Sequence, residues 1–134
     1  MSITINSIIE IAGFPEKHVS DTMKNVLDKL GQEKGIKIIK KSVAKVKKIK
    51  EIWSTFAELE LEFDNIEKLF NFCFDYMPSS IEIIEPISVQ SESNYISNVI
   101  NDMLAKLHQY TMFISNLNAE NKVLKNRLSA LEKK

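Results

Sequence analysis

Hydrophobic and polar positions change period several times along the chain, and each change predicts an element. Residues 3–12 run apolar and β-branched, with Ile3, Ile5, Ile8, Ile9 and Ile11, which reads as a strand. Gly13-Phe14-Pro15 punctuates it, with Pro15 placed to open a helix. Val19, Met23, Val26, Leu27 and Leu30 then recur at the spacing of one helical face, and Gly31 and Gly35 close that helix. Residues 36–49 interleave Ile36, Ile38, Ile39, Val43, Val46 and Ile49 with lysines, predicting a second strand. A third spans 54–63. It alternates cleanly, with Thr55, Ala57, Leu59, Leu61 and Phe63 on one side and Glu58, Glu60 and Glu62 on the other.

Asp64 followed by Glu67 has the logic of a capping box and predicts a second helix that buries Ile66, Leu69, Phe70, Cys73 and Tyr76. Phe72 and Phe74 fall off that face, and with Trp53 and Phe56 they form a set of aromatics expected at an interface or under the C-terminal helix. Pro78 disfavours helical geometry at Met77 and ends the helix. Residues 80–85 read as a fourth strand, stopped by Pro86. The expected core includes Val26, Leu27, Leu59, Leu61, Leu69, Phe70 and Ile83. The order β-α-β-β-α-β over residues 1–86 resembles the ferredoxin-like split arrangement, a superfold that carries no function by itself. Its two helices cover one sheet face and leave the other wet or in an interface.

Residues 87–94 form a polar connector, and from there to Lys134 the chain contains neither proline nor glycine. With a set at Ile100, the a positions are Ile100, Leu107, Ile114, Asn121 and Leu128. The d positions are Ile96, Met103, Tyr110, Leu117, Leu124 and Leu131. A pattern sustained over about five heptads predicts a coiled-coil helix over 95–134, roughly 55 Å long. Asn121 would meet its twin only in a parallel pair, and the flanking residues agree. Glu120 would face Lys125, and Arg127 would face Glu132, across two chains running the same way. Val99, Leu104 and Phe113 widen the stripe in the first half, which predicts that this half also packs on a globular domain. The expected architecture is α+β: a ferredoxin-like head followed by a long helix in a parallel dimeric coiled coil.

Composition narrows the function classes. Eighteen basic residues balance eighteen acidic ones, so no global field draws the chain to nucleic acid or to a membrane. All the basic residues but Arg127 are lysines, which counts against bidentate readout of bases. No apolar run approaches the ~20 residues of a membrane span, and the start lacks the charged and apolar blocks of a signal peptide. One cysteine, Cys73, fits a reducing compartment, and the cytoplasm is the expected location.

Cys73 lies among Phe70, Phe72 and Phe74, a setting for a buried and inert thiol. His18 and His108 are far apart and supply no metal-ligand spacing, and no nucleophile-base set is present. No cofactor, metal or catalytic centre is expected. The basic run Lys37, Lys40, Lys41, Lys45, Lys47, Lys48 and Lys50 is the candidate for nucleic-acid contact. Its structural alternative is cross-strand pairing with Glu58, Glu60 and Glu62. Gly13-Phe14-Pro15 sits where ferredoxin-like regulatory modules such as the ACT family bind small ligands, a resemblance of position that implies a ligand-sensing domain as a further alternative. The leading expectation is a non-enzymatic homodimeric adaptor whose partners are a second copy and another protein. An RNA- or ribosome-associated role through residues 37–50 is the runner-up.

Overall fold

The computed structural model describes residues 2–133. Its elements are β1 (Ile3–Gly13), α1 (Glu16–Gly31), β2 (Ile36–Val43), β3 (Lys47–Ile49), β4 (Ile52–Phe63), α2 (Ile66–Tyr76), β5 (Ser80–Glu85) and α3 (Ser93–Glu132). The protein is mixed α+β: an antiparallel five-stranded sheet plus a long C-terminal helix. The sheet order is β2-β4-β1-β5, with β3 also paired to β4. Two compact units divide the chain, residues 1–91 and 92–134.

The alternation in β1 and β4 decides how the first unit folds. Ile3, Ile5 and Ile9 of β1 and Ala57, Leu59, Leu61 and Phe63 of β4 are buried on one face. The ladder places Ile5 opposite Leu61 and Ile3 opposite Phe63. Helix α1 adds Met23, Leu27 and Leu30 to this cluster, and α2 adds Leu69 and Phe72. One-sided burial of this kind is what period-two strands can offer two amphipathic helices. Among the described residues two polar side chains are buried, and both are satisfied: Ser7 Oγ donates to the Ser80 carbonyl at 2.9 Å, and Thr55 Oγ1 to that of Ala44 at 2.7 Å.

Several sequence expectations need correction. The single strand over 36–49 is two strands, Ile36–Val43 and Lys47–Ile49, and Ala44 opens the gap between them. Its N–H donates to the Phe56 carbonyl at 2.9 Å, and its own carbonyl is taken by the Thr55 hydroxyl. A register shift between Ile38 and Lys40 marks a bulge. The next strand starts at Ile52 instead of Ser54. The cap of α2 is Asn65, whose Oδ1 accepts from the Lys68 N–H at 2.9 Å; Asp64 lies one residue too early.

The buried face of α2 runs through Leu69 and Phe72, with Phe70 only partly buried, so the face is rotated from the one expected. Phe72 is drawn in by Phe63, with ring centroids 5.4 Å apart and planes tilted by 57°. Ile83, expected in the core, is exposed because β5 is an edge strand with only β1 beside it. Met77 ends α2 in left-handed geometry at φ 47°, directly before Pro78.

Candidate functional site

The outer face of the sheet follows from the same alternation that built the core. Glu58, Glu60 and Glu62 of β4 face away from the helices and are joined there by Asn6 and Glu10 of β1 and Glu82 of β5. Across the β2–β4 ladder Lys37 stands opposite Glu62, and Lys40 opposite Glu60. Two of the seven lysines singled out in the sequence therefore have a carboxylate as their cross-strand neighbour. A shallow concavity of about 880 Å³ lies on this face, bordered by Asn6, Ile8, Lys40, Ser42, Glu60 and Glu82.

The other lysines are placed differently. Lys41 stands opposite Leu59 on the exposed edge. Lys45 lies in the break between β2 and β3. In the hairpin formed by β3 and the start of β4, Lys47 pairs with Ser54, Lys48 with Trp53, and Ile49 with Ile52. Lys50 sits in the turn with φ 57° and is followed by Glu51. The Lys48 ammonium lies 6.0 Å from the centroid of the Trp53 ring, within reach of the cation–π attraction.

A second cluster joins α1 to α2. The rings of Phe72 and Tyr76 stack with centroids 5.4 Å apart. The Tyr76 hydroxyl donates to Glu33 Oε1 at 2.8 Å, and the Lys29 ammonium lies 5.7 Å from the Tyr76 ring. Burial, then the Glu33 carboxylate as acceptor and as charge, pushes the Tyr76 phenol above its ordinary range. Cys73, one turn before Met77, is half-buried, and that burial raises its thiol as well. A thiol that resists ionisation is a poor nucleophile and a poor metal ligand. Among the described residues no group of three or more His, Cys, Asp or Glu side chains could hold a metal ion.

The second unit is a single helix, α3, of 40 residues and so about 60 Å long. It contains all eleven heptad residues: Ile96, Ile100, Met103, Leu107, Tyr110, Ile114, Leu117, Asn121, Leu124, Leu128 and Leu131. Leu107, Ile114, Leu117, Leu124, Leu128 and Leu131 are exposed in the single chain. Thr111, at an e position, donates its hydroxyl to the Leu107 carbonyl at 2.9 Å. No helix among the described residues is long and apolar enough to cross a membrane.

A family model matches residues 4–133, from the first strand through the end of α3. The chain belongs to the MJ0538 family. Neither a curated protein nor a solved structure matches it. For this MJ0538-family member the match runs through both compact units, so the long helix is part of the family's own pattern as much as the sheet is.

Proposed function

We propose that this MJ0538-family protein is a non-enzymatic homodimeric adaptor of the cytoplasm. Its α3 helices pair as a parallel coiled coil, and its heads recognise a macromolecular partner. The observation that carries this reading is the apolar stripe of α3. Leu107, Ile114, Leu117, Leu124, Leu128 and Leu131 are exposed on one chain, and with Tyr110 and Asn121 among them they keep the three- and four-residue spacing of knobs-into-holes packing against a second copy. Several exposed leucines and isoleucines in a contiguous row are costly to leave in water, at roughly 1.5–3 kcal/mol for each one fully buried. Asn121 and the Glu120–Lys125 and Arg127–Glu132 pairs favour the parallel dimer over other assemblies, with each exposed ion pair contributing only a few tenths of a kcal/mol.

For the head we infer a ferredoxin-like arrangement. The sheet order β2-β4-β1-β5 and the two helices on one face support it, with β3 prolonging the path of β2 along β4. The test of the dimer is sedimentation equilibrium of the full chain at micromolar concentration. The expected mass is twice the 15.4 kDa of one chain, and a monomer would sink the reading.

A further inference from the structure

The structure splits the basic run into two sets with different surroundings. Lys37 and Lys40 face Glu62 and Glu60, and so lie in an acidic neighbourhood. Lys45, Lys47, Lys48 and Lys50 have run past those glutamates. Opposite β3 stand Ser54, Trp53 and Ile52, none of them acidic. Residues 45–51 hold four lysines against one glutamate, Glu51, leaving three net positive charges on seven residues of a protein whose total is zero.

The same end of the sheet collects aromatic side chains. Trp53 is flanked by Lys48 on one side and by Gly13 of β1 on the other, so the β1–α1 loop arrives beside the hairpin. Phe14, next in that loop, is 71% exposed; Phe56, three residues along β4 from Trp53 and so on the opposite face, with Ser54, the partner of Lys47, is 41% exposed. Lysine charge beside accessible aromatic rings is the combination that holds unpaired nucleotides: the ammonium groups track the phosphates and the rings stack on the bases. Glu10 pairs with Phe56 across the β1–β4 ladder and is exposed. A carboxylate there repels phosphate but accepts a hydrogen bond from a ribose 2′-hydroxyl, a donor that DNA lacks.

We propose that the β3–β4 hairpin end of the sheet, with Lys47, Lys48, Lys50, Phe56 and Phe14, binds single-stranded RNA without sequence preference. This rests on the adaptor reading in that it names the partner of the head. The acidic sheet face beyond Phe56, with Glu58 and Glu60, keeps the strand from running down the sheet, so the footprint is short and crosses the hairpin end. With lysines and no arginine there, contact is to charge and ring faces, and not to base edges. An anionic lipid surface fits less well, because Glu51 sits in the turn between Ile49 and Ile52, and an inserted tip would carry that carboxylate with it.

Trp53 is the only tryptophan of the chain and pairs with Lys48, so its fluorescence reports on that side of the hairpin end. The full-length protein is titrated with a short oligouridylate over a series of salt concentrations. The expected results are quenching of Trp53 and a log–log salt slope of about −2, from three lysines at ~0.7 each. Replacing Lys47, Lys48 and Lys50 together by Gln should remove most of that slope and weaken binding at least tenfold. Phe56→Ala should weaken it about fivefold or more through lost stacking. The control K37Q/K40Q, at the positions facing glutamates, should stay within about twofold of the parent. Circular dichroism of every variant confirms that the fold is kept.

Equal dependence on the Lys37/Lys40 pair, equal affinity for oligodeoxythymidylate, a Trp53 response to phosphatidylglycerol vesicles instead of RNA, or no response at low salt would each overturn the proposal. Sedimentation of the same samples separates it from the adaptor reading. A monomer that binds RNA as described supports the site and removes the coil, whereas a dimer that does not bind overturns the site alone.

Discussion

Leu61 sits near the end of β4 with Ile5 on one flank and Ile38 on the other, and none of its surface is exposed. Leu61→Ala is expected to cost about 2–5 kcal/mol, read from urea denaturation, because the rigid ladder on both sides lets the cavity collapse only in part. A cost near zero would mean that the faces of β4 are reversed. Its place in the core was legible from alternation alone, since Glu60 and Glu62 leave Leu61 only one side. Phe72 was not legible. At helical spacing either Phe70 or Phe72 could accompany Leu69, and the choice falls to Phe63 and Tyr76, whose rings meet Phe72 at 5.4 Å. Cys73 carries a prediction of chemistry. Burial raises its thiol, so the thiolate fraction at neutral pH is smaller than in a free cysteine and grows only as the pH climbs above the ordinary thiol range. Reaction with an aromatic disulfide reagent near pH 8 should be slow in the native protein and fast once urea unfolds it. Fast native reaction would show an open, activated thiol instead.

Among the elements, the helices and the strands differ in what local pattern can decide. β4 was read to within two residues at its start, because ten residues of clean alternation have no helical reading. The stretch from 36 to 49 was read as continuous because the lysine-isoleucine pattern does not show where the ladder breaks. At the break Thr55, a residue of another strand, takes the Ala44 carbonyl. α3 needs no tertiary partner to be seen as a helix: 40 residues without proline or glycine, under a sustained heptad, determine it. What it pairs with is testable at Asn121. In a parallel dimer two Asn121 side chains hydrogen-bond to each other, whereas in an antiparallel pair each amide would be buried unpaired at about 1–3 kcal/mol. Asn121→Leu should raise the melting temperature, by roughly 4–8 °C if the change is worth about 1 kcal/mol, while admitting trimers or shifted registers. Leu131→Cys should cross-link to its twin under mild oxidation. A destabilised Asn121→Leu, or tail cysteines that never join, would remove the parallel coil.

At the scale of the whole molecule, a head of about ninety residues with one-sided helices is small for a stable core, and association through α3 would supplement it. If the coil is the dimer contact, a chain ending at Ser91 should sediment as a monomer and the full chain as a dimer at the same molar concentration. A dimeric head alone would place the contact on the sheet. The sequence by itself determined the α+β class, the strand that forms the floor of the core and the length of the last helix, because each rests on a period that repeats within one segment. Only the tertiary structure decided that Lys37 and Lys40 stand against glutamates while Lys47 stands opposite Ser54, Lys48 opposite Trp53 and Lys50 in the turn. Residues on different strands acquire neighbours through strand register, and register is set by which bulges and side-chain hydrogen bonds the assembled sheet accepts.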